Sequence, residues 1–249
     1  MSALVLALIA GAVVGLALGA LGGGGSILAV PALIYLLGFS PATATTASLL
    51  IVAATSATAL YAHARAGDVR WKAGTLFAAA GVLPAAAAGA AAARLPQPAL
   101  TAAFAAVAAL AAVRMLRPRG AAVRAGHAER PARAVSAGAG LGALTGLLGV
   151  GGGFLAVPAL VTVLGLEMRA AVGTSLLVIS VNSLASLVTR GPTATGLDWA
   201  VVGPFLAAAI LGAWDGKRLA SKVSGPVLQR TFAIALLAVA ALMLLDVVA

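Results

Sequence analysis

Apolar positions in this chain come in long unbroken runs, not in the alternating or three-four spacing of an element with one wet face. No Lys, Arg, Asp or Glu occurs in residues 1–64, 73–93, 95–113, 134–166, 170–189, 199–214 or 231–245. A helix needs about 20 apolar residues to cross the hydrocarbon of a bilayer, so residues 1–64 alone hold enough for three crossings. Punctuation by Gly, Pro and charge predicts five helical segments in the first half, near 3–20, 25–38, 43–63, 72–94 and 98–116. It predicts five more in the second half, near 134–148, 152–165, 170–188, 199–216 and 226–246. The second segment of each half is short for a crossing, and both are expected to be partial or re-entrant helices. The pattern predicts an all-α polytopic membrane protein.

The two halves also read alike. Residues 10–38 and 137–165 agree at 17 of 29 positions, with LAVPAL at 28–33 and again at 155–160. Gly11, Gly15 and Gly19 recur as Gly138, Gly142 and Gly146, and Pro31 and Gly38 recur as Pro158 and Gly165. Further on, Ser48 and Ser56 recur as Ser175 and Ser183. Self-similarity of this kind marks a duplicated unit, here of about 127 residues. Because the N-terminal run shares this register and lacks a basic flank, it is expected to be retained and not to be a cleaved signal.

Charge then sets the boundaries and the topology. Residues 1–116 form the first transmembrane repeat, 117–133 a basic linker and 134–249 the second repeat. Around the linker, six Arg at 114, 117, 119, 124, 130 and 133 face only Glu129, which predicts a cytoplasmic position. The loop between the third and fourth segments is basic in the first half (Arg65, Arg70 and Lys72 against Asp68) and neutral in the second (Arg190 against Asp198). The next loop reverses this, with Lys217, Arg218, Lys222 and Arg230 around Asp215 against Arg94 alone. That exchange predicts two inverted-topology repeats of about five helical segments each, with both termini outside.

Composition removes competing classes of function. Charged residues make up 9% of the chain, against about 25% in soluble domains. The net charge of +10 sits between apolar segments, so it is read as membrane sidedness and not as a nucleic-acid surface. Without Cys, and with only His63 and His127 far apart in the chain, no metal site and no cofactor are expected. No acid, base or nucleophile pair falls within the segments, so no enzyme is expected. His63, Glu167, Arg169, Arg190, Asp198 and Asp215 lie near segment ends and are expected to face solvent or headgroups.

Two features remain for chemistry. In each half a small-residue helix runs into a glycine cluster, Gly22 to Gly25 or Gly149 to Gly153, and restarts at once. Irregular backbone within a membrane lines cavities, and the restarting amides would suit an anion. Gly22, Pro31, Gly149 and Pro158 are the expected breaks or hinges. The Gly-x3-Gly spacings upstream are read as close helix packing. Hydroxyl and amide groups gather in the third segments, among them Thr46, Ser48, Thr55 and Ser56, and Thr174, Ser175, Ser180, Asn182 and Ser183. Ser and Thr in membrane helices often bond their own i−4 carbonyl, and that is the competing use of each hydroxyl here.

The paired motif at 22–31 and 149–158, followed by Ala44-Thr45-Thr46-Ala47-Ser48 and Val172-Gly173-Thr174-Ser175, resembles the TauE/SafE family of membrane permeases. Trp71 and Trp199 fit the same pattern, and the resemblance covers essentially the whole chain. It implies movement of sulfite or an organosulfonate across the bacterial cytoplasmic (inner) membrane, by one repeat rocking against the other. Carried onto this sequence, Gly24, Gly25, Ser26, Gly151, Gly152 and Gly153 offer backbone donors. Thr46, Ser48, Thr174, Ser175 and Asn182 offer side-chain donors. Ser26 departs from its counterpart Gly153 and leaves an extra hydroxyl in the first copy. An anion channel and a non-transporting structural subunit are the alternatives, and a homo-oligomer is left open.

Overall fold

The computed structural model describes residues 3–92, 97–117, 131–148, 153–190 and 197–248. Every regular element among them is helical: α1 (Ala3–Leu21), α2 (Ser26–Pro31), α3 (Pro41–Arg65), α4 (Trp71–Ala92), α5 (Gln97–Leu116), α6 (Pro131–Leu148), α7 (Gly153–Thr162), α8 (Met168–Arg190), α9 (Trp199–Lys222) and α10 (Gly225–Val248). A 3-10 turn over Gly22–Gly25 joins α1 to α2, and a π-turn over Ala32–Leu36 follows α2 directly. These are the ten expected segments with adjusted ends. α6 takes in residues 131–133, assigned above to the linker, because a Pro fits the first helical position, where an N–H has no partner anyway. α9 continues past 216 through Lys217, Arg218 and Lys222. Charge marks where hydrocarbon ends, while the helix continues on its backbone hydrogen bonds.

Four described stretches are long and apolar enough to cross a membrane: Ala3–Leu21, Thr46–Arg65, Met168–Leu187 and Trp199–Lys222. The molecule is turned outward as a lipid-facing protein requires. Leu83, Leu211 and Ile234 are 79%, 69% and 62% exposed, whereas Thr46, Ser48, Thr55, Ser56, Thr174, Ser175, Ser180 and Ser183 are buried. Large apolar groups meet the acyl chains and hydroxyls are kept inside, where they find partners.

Close packing comes from missing side chains. A Cβ on Gly11, Gly15 or Gly19 would overlap the carbonyl oxygen of Phe205, Ala209 or Ala213, so α1 and α9 touch backbone to backbone and run in the same direction. Gly138 and Gly142 meet the carbonyls of Phe77 and Gly81 in the same way, which fixes α6 beside α4. The predicted packing role of the Gly-x3-Gly spacing is met, at small-residue faces of the kind that let membrane helices approach closely. α3 and α8 run antiparallel, since Asp68 just past α3 meets Gly173 while Ser56 meets Ser180. α5 and α10 are antiparallel too, with Gln229 near the start of α10 donating to the Met115 carbonyl near the end of α5.

These directions give the bundle two unlike ends. His63, Ala66 and Asp68 at the end of α3 share one cavity with Arg169 at the start of α8 and Lys217, Ala220 and Ser221 at the end of α9. The start of α9 at Asp198 lies about 36 Å away along the helix, at 1.5 Å per residue over its 24 residues. The 66–70 loop and the loop before α9 therefore occupy opposite ends. Trp71 and Trp199, the first residues of α4 and α9, are 52% and 56% exposed at those two ends, where an aromatic belt places them.

Candidate functional site

The first glycine run begins with a reversal. Gly22 has φ +65°, a left-handed conformation that an L side chain resists, and a Cβ there would lie 2.5 Å from Ser175 Oγ. Gly22 and Gly23 are buried, and the Gly23 N–H donates to Ser175 Oγ at 3.4 Å. Ser175 Oγ in turn donates to the Val172 carbonyl at 2.8 Å. A residue of the second half thus holds the break in the first half. The contact lies two turns into α8, nearer the end that has the 66–70 loop.

Gly24 and Gly25 complete the 3-10 turn and Ser26 opens α2. α2 has six residues, too few to build much of a macrodipole, so its pull on an anion is mainly that of local amides. Pro31 ends α2 and is exposed, whereas Pro158 lies buried inside α7, where its carbonyl accepts from Thr162 Oγ1 at 2.6 Å. Gly149, Gly151 and Gly152 lie outside the described residues, and Gly153 is the first residue of α7. Gly38 and Gly165 play a part that the repeat left unassigned. Each has φ +71°, and each closes its helix with one bond of 3.1 Å, Phe39 N–H to the Leu33 carbonyl and Leu166 N–H to the Leu160 carbonyl.

A polar seam runs between α3 and α8. Ser56 Oγ and Ser180 Oγ lie 2.9 Å apart across it. Several hydroxyls are spent on their own helix, as Ser and Thr often are in membranes: Thr55 on Ile51, Thr58 on Ala54 and Ser180 on Leu176. Thr174 Oγ1 accepts from the Arg70 N–H at 3.0 Å and so fixes the start of α4 against α8. Thr46 and Ser48 are buried on α3, and Asn182 is half-buried on α8. Ser183 Oγ is buried with no hydrogen-bond partner among the described residues. It lies eight residues from Ser175 and so on nearly the same helix face. The structure thus brings Ser175 to Gly22 and Gly23, while Thr174 serves the 66–70 loop.

One polar cluster differs from its expectation. His63 is 3% exposed, not solvated, because the chain turns back at Gly67 (φ +76°) and returns Asp68 to it. His63 Nδ1 lies 3.2 Å from Asp68 Oδ2 and Nε2 lies 3.2 Å from the Gly19 carbonyl on α1. A cavity of about 170 Å³ opens beside it, with Arg169 and Lys217 on its wall. Arg169 is anchored by two bonds of 3.1 Å, to the Ser221 and Val223 carbonyls. A larger groove of about 380 Å³, between α1 and the α2 region, is lined mainly by apolar groups such as Leu6, Ile9, Val13 and Leu28, with Tyr35 at one side. No group of three or more metal-ligating side chains occurs among the described residues.

The chain matches the family described as Sulfite exporter TauE/SafE over residues 7–243. It is 35% identical over 238 residues to a "Probable membrane transporter protein" of Xylella fastidiosa strain Temecula1, covering 92% of this chain and 90% of that protein. A protein of the same name from strain 9a5c is 36% identical over 240 residues, with the same coverage. No solved structure matches the chain. A helical bundle with lipid-facing apolar groups, an inward polar seam and this match over nearly its whole length place the chain in the TauE/SafE family of membrane transporters, which are not enzymes.

Proposed function

We propose that the protein moves a small sulfur oxyanion, sulfite or an organosulfonate, across the bacterial cytoplasmic membrane. In this reading the two glycine runs and the hydroxyls of α3 and α8 together form the site, and Ser175 of α8 touches the first run. The observation that carries this reading is the contact between Ser175 of the second half and the Gly22–Gly23 break of the first. It joins the irregular backbone of one half to the polar helix of the other, so a movement between halves remakes the site. The donors are neutral: Gly24, Gly25, Ser26, Thr46, Ser48, Asn182 and Ser183, with Gly151, Gly152 and Gly153 as the second run, while Ser175, whose hydroxyl proton goes to the Val172 carbonyl, holds the first break in place. A site without fixed charge holds an anion loosely enough to release it.

The halves act as inverted repeats that rock against each other. The antiparallel course of α3 and α8, and the exchange that turns the α1–α9 pair into the α6–α4 pair, support this reading. The end with the 66–70 loop and Lys217, Arg218 and Lys222 is cytoplasmic by the positive-inside rule, and both termini are outside.

The test is ligand-induced stabilisation of purified protein by sulfite, sulfate and ethanesulfonate. A true ligand at 100 times its Kd adds about 2.7 kcal/mol to stability. Sulfite or the sulfonate should raise the melting temperature and Gly22→Leu should abolish the shift. Equal response to all three anions and to chloride would remove the assignment.

A further inference from the structure

We propose that His63 and Asp68 form the site at which this transporter takes up a proton together with its anion. The inference deepens the anion-permease reading and rests on it. Its ground is a count of donors. A neutral imidazole has one N–H, yet both ring nitrogens of His63 face acceptors, the Asp68 carboxylate on one side and the Gly19 carbonyl on the other. Both contacts are satisfied only when the pair holds one proton more than neutral His and ionised Asp, either on the ring or on the carboxyl. Loss of that proton to water in the adjacent cavity leaves one nitrogen bare against an oxygen, and one of the two contacts must open.

The two contacts join different parts of the fold. Gly19 lies on α1, one turn before the left-handed Gly22, and Asp68 lies in the loop between α3 and α4. Proton release therefore loosens α1 from α3 immediately before the glycine break. The charged groups facing the pair are Arg169 from α8 and Lys217 from α9, both on the cavity wall. Arg169 is tied to two carbonyls, while Lys217 makes no ion pair among the described residues. The cavity volume of about 170 Å³ admits a small oxyanion. An anion drawn there by Lys217 offsets the two cations and favours the protonated pair, and by linkage the proton favours the anion. The two are carried in the same direction.

The experiment uses the full chain in proteoliposomes with sulfur-35 sulfite and ethanesulfonate, the latter too acidic to carry a proton itself. Two quantities are read: counterflow without a gradient, and accumulation driven by an imposed pH gradient. Wild type should accumulate either anion on the alkaline side, following the proton down its gradient, by up to about tenfold per pH unit at one proton per anion. In His63→Gln and Asp68→Asn the ratio of gradient-driven accumulation to counterflow should fall about tenfold or more. Wild-type counterflow that ignores the pH gradient would overturn the coupling and leave the permease reading intact. Absence of any wild-type counterflow would overturn both.

Discussion

Gly22 and Ser175 meet across the two halves of the chain, and each limits what the other can be. Gly22→Ala introduces a side chain at φ +65°, a strain of about 1–2 kcal/mol, and places its Cβ 2.5 Å from Ser175 Oγ. Ser175→Ala removes the acceptor of the Gly23 N–H at a net cost of about 0.5–1.5 kcal/mol. In a double-mutant cycle the two effects should not add, because the second change relieves the clash made by the first, while the backbone strain persists. Additive melting shifts would show that the residues do not touch. The doubled register at Ser48 and Ser175 brought Ser175 to notice from sequence alone. Its partner was not legible, since periodicity gives the face of a helix and not the neighbour on that face. The burial of His63 was not legible for a related reason. A lone His near a segment end looks the same whether it points to solvent or inward, and the turn at Gly67 that returns Asp68 to it is a tertiary fact.

The helices are held by backbone contact along α1–α9 and α4–α6, and this makes neighbouring glycines unequal. A Cβ at Gly142 would overlap the Gly81 carbonyl, whereas nothing lies within 4 Å of one at Gly140. Gly142→Ala should destabilise the protein by about 1–3 kcal/mol, as overpacking does. Gly140→Ala should leave stability unchanged or raise it by up to about 1 kcal/mol, from helix propensity alone. Thermal unfolding in one detergent compares the two, and equal melting temperatures would contradict the packing. Gly15→Ala should behave like Gly142→Ala, because it makes the equivalent contact in the other pair. The helical segments were legible to within a few residues because hydrocarbon imposes apolar runs of known length. The ends of α6 and α9 were not, since the charges used to bound them sit on helix that has already left the apolar zone.

At the scale of the whole molecule the bundle has one basic end and one nearly neutral end, and the proposed orientation in the membrane rests on that difference. Reporter fusions in the 117–133 linker should report the cytoplasm and fusions after Ala249 the outside; the same side for both would break the inverted arrangement. Transport by one half moving against the other separates a carrier from a channel, because a carrier reorients faster when loaded on both sides. The most direct measurement is counterflow: proteoliposomes filled with unlabelled sulfite or ethanesulfonate, diluted into the labelled anion. The account predicts saturable, transient uphill accumulation of label that Gly22→Leu abolishes, and downhill equilibration without overshoot, or no uptake at all, would contradict it.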